Sequence, residues 1–359
     1  LHIYKIHKNN YTFSGMWDGL LRGNIIMGIT ITFLVFTVSL IIIIKGGDWF
    51  VDSATTVAQI TGIPNILIGA TIVSIATTLP ELLVSSIATY NQYYDIAIGN
   101  VIGSIICNIG LILGLVAILS PVRINRKSFS AKGGFMLLSC IILFILLGDT
   151  IITGREGNLL LFLFIIYIFL NVIELKSKPQ TSPANHEFKK CDSRGIFKIA
   201  TKFIIGAMLI VVGAKLMVES GVKIARFLKV PEQFISLTLI ALGTSLPELV
   251  TAISSILKRQ QGLSIGNILG ANILDMLMVL GVSSKIGEKG IIISYQNIMF
   301  GARIYNIPQT LYLDLPVALF LMSVLVIGGM ISKKIGRILG ISLLFIYLTY
   351  LTALTKLFL

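Results

Sequence analysis

Charge is scarce in this 359-residue chain. Asp, Glu, Lys and Arg together make up 13% of it, and only 16 residues are acidic. Histidine and cysteine are scarcer, with three of each. His2, His7 and His186 lie in terminal or loop sequence. Cys107 and Cys140 fall in apolar runs and Cys191 in a basic loop. These positions suit free thiols and exclude a disulfide framework. They also leave no nitrogen–sulfur metal site. The chain has no HExxH helix, no Walker lysine loop and no serine–histidine pair within its apolar runs, so it is not expected to be an enzyme and needs no cofactor.

What fills the chain instead is apolar sequence, 55% of residues, in recurring runs near the ~20 residues that span a bilayer. The fold class expected is an all-α polytopic membrane protein. The net charge of +13 therefore points to membrane orientation, with Lys and Arg clustered in short loops, and not to nucleic acid.

Ten transmembrane helices are expected, at about 27–45, 66–90, 96–119, 133–149 and 157–175, then 203–222, 234–257, 263–283, 314–332 and 337–356. Residues 1–26 form an N-terminal extension, too poor in apolar residues for a signal-peptide core. Residues 27–175 form a first five-helix repeat, 176–202 a polar, lysine-rich cytoplasmic linker and 203–359 a second five-helix repeat. Residues 284–313 read as a lateral segment or a loop. With the linker in the cytoplasm, loops 120–132, 258–262 and 333–336 share its side, which then carries most of the Lys and Arg. This puts the protein in the cell membrane with both termini outside, although Lys5, Lys8 and Arg22 oppose that orientation.

Two stretches repeat at an offset of 167, as Glu81 against Glu248 shows. The first copy runs Ser74, Thr77, Thr78, Pro80, Glu81, then Gly99, Asn100, Gly103, Ser104 and Asn108. The second runs Ala241, Thr244, Ser245, Pro247, Glu248, then Gly266, Asn267, Gly270, Ala271 and Asp275. Gly46, Ser53, Pro64 and Thr71 recur at the same offset as Gly213, Ser220, Pro231 and Thr238. An odd number of spans per repeat inverts the second copy relative to the first, the plan of secondary transporters with a site near the midplane.

Pro80 and Pro247 lack the N–H that Ala76 and Gly243 carbonyls would accept, so each helix opens near 74–78 and 241–245. Freed backbone in a membrane must face protein or water, and bare carbonyls become available as ligands. Thr77 precedes Glu81, and Thr244 precedes Glu248, by four residues, which places hydroxyl and carboxylate on one helix face. A carboxylate inside a bilayer costs about 3 kcal/mol or more, so it normally faces the bundle interior and serves a function. Asn100, Ser104 and Asn108 form one polar stripe and Asn267, Ala271 and Asp275 its counterpart. The glycine pairs beside them offer small packing faces. Every donor in this set is oxygen, which suits hard cations such as Ca²⁺ and Na⁺.

These residues resemble the cation/calcium exchanger superfamily, specifically its sodium/calcium exchanger branch of prokaryotic type, over most of the chain beyond residue 26. The resemblance implies a secondary active antiporter exchanging Na⁺ for Ca²⁺ by alternating access, with both ions competing for one site. Glu81 and Glu248 would be shared acidic ligands. Thr77, Thr78, Thr244 and Ser245, with the Ser74 and Ala241 carbonyls, would add oxygens, and Ser104, Asn108 and Asp275 would complete the set. The first and sixth spans would move against the rest. The partners implied are Ca²⁺, Na⁺ and the lipid bilayer, with the chain acting as a monomer. Ile105, Ala271 and Ala76 depart from the family pattern and bear on the Na⁺ sites. Asp275 leaves a proton-coupled or potassium-dependent exchanger as the alternative, and a channel or membrane-embedded sensor as a different class.

Overall fold

In the computed structural model, residues 11–60, 74–176, 193–257, 261–300 and 303–358 are described. The order of elements is helical almost throughout. Helix α1 (Tyr11–Ile60) precedes α2 (Ser74–Thr77), α3 (Leu79–Tyr90) and α4 (Tyr94–Leu119), the last with a π turn over Cys107–Leu113. Then come α5 (Arg126–Leu146), α6 (Gly154–Lys176) and α7 (Ser193–Leu228). Helix α8 (Glu232–Thr244) has a π turn over Ser236–Ile240 and is followed by α9 (Leu246–Leu257). Helix α10 (Gln261–Leu274) runs on through a π turn at Asp275–Val279 and Leu280–Ile286. Helix α11 (Thr310–Ser332) opens on a π turn at Thr310–Asp314, and α12 (Arg337–Phe358) ends the order.

Among the described residues, eight helices are long and apolar enough to cross a membrane, and the bent pair α8–α9 makes a ninth. The remaining expected span, 66–90, lies partly outside the described residues, which resume at Ser74. Several boundaries shift. Helix α5 starts at Arg126 rather than 133, and α7 at Ser193, inside the stretch read as linker. Hydropathy sees only the apolar part of a helix, whereas backbone bonding continues through polar residues with adequate helix propensity.

The stretch 284–313 is neither plain loop nor amphipathic helix. It holds β3 (Ile291–Ile292) and a hairpin of β4 (Gln296–Phe300) and β5 (Arg303–Ile307). Two further short antiparallel pairs tie loops together at the two ends of the bundle. In one, β1 (Val122–Arg123) pairs with β6 (Lys334–Ile335). In the other, β2 (Ile151–Ile152) pairs with β3. Gly290, at φ +86°, makes the turn into β3, where a side chain would strike the Ile152 carbonyl.

Helices α4 and α10 form the buried centre, whereas α1 and α6 are largely exposed. Exposed apolar residues such as Leu34, Phe162, Ile338 and Phe345 would otherwise face water, and a bilayer is the solvent that suits them. Helices α1 and α7 lie against each other through small residues. Gly46 meets the Gly206 carbonyl, Gly213 meets Ser39 and Ile43, and the Phe50 and Phe203 rings stand 4.4 Å apart.

Candidate functional site

Each proline motif breaks its helix at the same place. Helix α2 stops at Thr77 and α3 starts at Leu79, with Thr78 between them at φ −84°, ψ −2°. In the second copy Ser245 takes φ −80°, ψ 0°, between α8 and α9, which bend by 42°. One residue near ψ 0 turns the chain without ending it. The amides of Thr78 and Ser245 still donate to the carbonyls of Ser74 (3.1 Å) and Ala241 (3.0 Å).

Those two carbonyls, which the resemblance implies as ligands, also accept from side-chain hydroxyls. Thr78 Oγ1 donates to Ser74 O at 2.9 Å and Thr77 Oγ1 at 3.2 Å, and Thr244 Oγ1 donates to Ala241 O at 3.3 Å. A carbonyl in a low-dielectric interior is costly when unpaired, and the nearest hydroxyls satisfy it. With the amides counted, the Ser74 carbonyl accepts from three donors and the Ala241 carbonyl from two, so both lone pairs of each are engaged until a hydroxyl turns away.

The carboxylates do not sit with the hydroxyl of their own motif alone. Glu81 faces the Thr244 hydroxyl, and Glu248 faces that of Thr77. Glu81 also stands within electrostatic reach of Glu248 and Asp275. Each carboxylate thus has near it a hydroxyl of the other copy's motif.

Ser104 on α4 joins both motifs. Its hydroxyl donates to Glu81 Oε1 at 3.5 Å, lies 3.3 Å from Thr244 Oγ1, and accepts from Ser245 Oγ at 3.1 Å. Asn100, one turn earlier, holds α3 in place: its Nδ2 donates to Glu81 O and to Ser85 Oγ, while its Oδ1 accepts from Thr244 Oγ1 at 3.0 Å. On the other side, Ser74 Oγ donates to Asn267 Oδ1 at 3.0 Å, so the Ser74 hydroxyl binds α10 while its carbonyl faces its own helix. Asn108 and Asp275 each fall in a π turn, a distortion frequent at functional sites because it re-aims side chains within a helix.

Sequence reasoning placed nine side chains and the Ser74 and Ala241 carbonyls at this site, and all eleven residues are buried. It left out Asn272, which is fully buried and accepts from Asn108 Nδ2 at 3.1 Å. The signal was present, since Asn272 stands where the first copy has Ile105. Four-residue spacing put it off the stripe of Asn267, Ala271 and Asp275.

Several buried oxygens here have no hydrogen-bond partner: Glu81 Oε2, both oxygens of Glu248, Asn108 Oδ1 and Asp275 Oδ1. Buried carboxylate oxygens are normally paired or bound to a cation. Among the described residues, no three Asp, Glu, Cys or His side chains close on one point. The donor set is mixed, with carboxylate, amide, hydroxyl and carbonyl oxygens, and this is the chemistry of hard, flexibly coordinated cations.

A sodium/calcium exchanger protein family profile matches residues 31–173 and 198–356. An uncharacterized membrane protein of Methanocaldococcus jannaschii is 34% identical, over 89% of this chain and 96% of its own length. The sodium/calcium exchanger MaX1 of Methanosarcina acetivorans is 32% identical, over 71% of this chain and 83% of its own. A solved structure of the sodium-calcium exchanger NCX_Mj, soaked with Na⁺ and Sr²⁺, superposes with a TM-score of 0.62 at 31% identity, covering 90% of this chain and 99% of that one.

Proposed function

The chain belongs to the sodium/calcium exchanger family, and from that premise we propose that it is an antiporter exchanging Na⁺ for Ca²⁺ through the paired motifs. The observation that carries this reading is the set of unpartnered buried oxygens on Glu81 and Glu248, just after two helix breaks, and on Asn108 and Asp275, in two π turns. Ca²⁺ is held between Glu81 and Glu248. Thr77, Thr78, Thr244, Ser245, Ser104 and the Ser74 and Ala241 carbonyls supply the neutral oxygens for Ca²⁺ and Na⁺. The same carboxylates serve both ions, so one displaces the other, which is the condition for coupled exchange.

Two five-helix repeats of opposite orientation, 27–175 and 203–359 joined by the 176–202 linker, are the architecture of this reading. The short sheets support it. A two-fold axis in the membrane plane exchanges β1 with β3 and β6 with β2, so it carries the β1–β6 pair onto β3–β2. The first segment of the family match, 31–173, falls within the first repeat, and the second, 198–356, covers nearly all of the second and begins in the linker. Helices α1 and α7, packed on each other through glycines and peripheral to the buried α4–α10 centre, are the pair that slides to alternate access. The linker is cytoplasmic and both termini are outside.

The test is flux in proteoliposomes. Na⁺-loaded vesicles are expected to accumulate Ca²⁺ from Na⁺-free buffer, and Glu81→Gln or Glu248→Gln to stop this. Uptake unchanged in either variant would overturn the site. Parallel K⁺ and pH gradients identify the driving ion. Uptake driven by the pH gradient alone would replace Na⁺ with H⁺.

A further inference from the structure

A second buried polar cluster lies at one end of the bundle. It joins Gln233 in the first turn of α8, Gln309 and Thr310 just after β5, Asp314 at the end of the opening π turn of α11, and Tyr350 on α12. All five are between 0% and 4% exposed. Asp314 is its hub. Oδ2 accepts from Gln233 Nε2 at 2.9 Å, and Oδ1 accepts from Gln309 Nε2 at 3.1 Å and from the Tyr350 hydroxyl at 2.9 Å. Gln233 Nε2 also donates to Thr310 Oγ1 at 2.7 Å. These hydrogen-bond partners of the carboxylate are all neutral. A buried charge held by neutral donors costs free energy and marks a specific arrangement over a merely stable one.

That arrangement bears on α8, the helix that carries Ala241 and Thr244. One turn after Gln233, Ser236 Oγ donates to the Ile96 carbonyl at 2.7 Å and ties α8 to α4. The π turn over Ser236–Ile240 then separates this anchored end from the candidate ligands. The sequence of the opposite copy does not repeat these residues. At the 167 offset Gln233 corresponds to Ile66, and helix α5, the counterpart of α11, contains no carboxylate. The cluster lies at the end that bears the β4–β5 hairpin, which leads directly into Gln309.

We propose that Asp314 is a positioning residue of the exchange site. It acts through Gln233 on α8, and its presence in one copy only makes the two faces of the exchanger unequal. The proposal rests on the exchange reading above. Holding the start of α8 fixes where Ala241 and Thr244 present their oxygens to ions arriving from the hairpin face. The other copy does not carry this Gln–Asp pair in its sequence, so ions from the linker face meet a different affinity.

The experiment measures half-saturating Ca²⁺ for Na⁺-driven uptake in right-side-out and inverted membrane vesicles. Variants are Asp314→Asn and the double variant Asp314→Asn with Gln233→Glu, which moves the carboxylate to the other side of the same hydrogen bond. Asp314→Asn is expected to shift the hairpin-face value by about tenfold, the size of a lost hydrogen bond to a charged group. The linker-face value should stay unchanged, and the double variant should restore most of the shift. Equal shifts on both faces, no shift, or no recovery in the double variant overturns the proposal. A lower maximal rate with both half-saturation values unchanged also overturns it, since a purely structural role predicts that result. If the unmodified chain shows no Na⁺-driven uptake, the exchange reading itself falls and takes this proposal with it. Normal wild-type exchange with face-independent variants sinks only the positioning role.

Discussion

Asn108 donates through Nδ2 to Oδ1 of Asn272 across 3.1 Å, at the point where α4 and α10 face each other. The bond uses one side of the Asn108 amide and leaves its Oδ1 buried and unpartnered. Asn272 thereby sets which atom of Asn108 is available to a cation. It stands in the second copy where the first has Ile105, so the two polar stripes meet asymmetrically.

Replacing Asn272 with Leu removes this orientation while keeping the branched shape of the side chain. The loss of one neutral hydrogen bond, about 1 kcal/mol, predicts a roughly fivefold rise in half-saturating Ca²⁺. Transport assays across a Ca²⁺ series check this, with Asn108→Ala as the comparison. The two changes are expected to be less than additive, because they act on one contact.

Ser104→Ala should weaken Na⁺ more than it weakens folding. The Ser104 hydroxyl meets Glu81, Thr244 and Ser245 at once, and Ala271 already removes the matching hydroxyl from the second copy. Half-saturating Na⁺ in Na⁺-driven Ca²⁺ uptake is expected to rise several-fold, as befits ~1 kcal/mol of lost polar contact. Thermal unfolding should change little.

Glu248→Gln gives opposite signs in two measurements. Both Glu248 oxygens are buried without hydrogen-bond partners, so removing the charge should raise the unfolding temperature of the purified protein in calcium-free, sodium-free buffer. The same variant should lose the stabilisation that Ca²⁺ gives the unmodified protein. That stabilisation is about 2.7 kcal/mol at a hundred times the dissociation constant. A Ca²⁺-dependent rise in unfolding temperature that persists in the variant would contradict the assignment.

The glycines beside the stripes separate packing from pattern. A Cβ on Gly103 would come within 2.6 Å of the Ala241 Cβ and 2.9 Å of the Leu237 Cα, whereas one on Gly266 meets nothing within 4 Å. Gly103→Ala is therefore expected to destabilise by about 1–3 kcal/mol and to displace the Ala241 carbonyl, lowering uptake. Gly266→Ala should be tolerated. Thermal unfolding and Ca²⁺ uptake on the pair decide it.

Much of this was readable before any coordinates. Hydropathy gave the membrane class and nine of the spans, because a bilayer requires helices of a minimum apolar length. Pro80 and Pro247 located the helix breaks, because a missing N–H acts locally. The recurrence of Glu81 as Glu248 marked two carboxylates that are both buried, because a carboxylate in apolar sequence requires a reason. Contacts between elements distant in sequence could not be read this way. That Thr77 faces Glu248 and Thr244 faces Glu81, that hydroxyls occupy the Ser74 and Ala241 carbonyls, that Asn108 meets Asn272, and that Gln233 reaches Asp314 across 81 residues all depend on how helices are oriented after they break. Local propensity and spacing fix a residue's place on its own helix. Only packing decides which oxygen it meets on another, because that choice is made by the summed contacts of whole helices and not by any one residue.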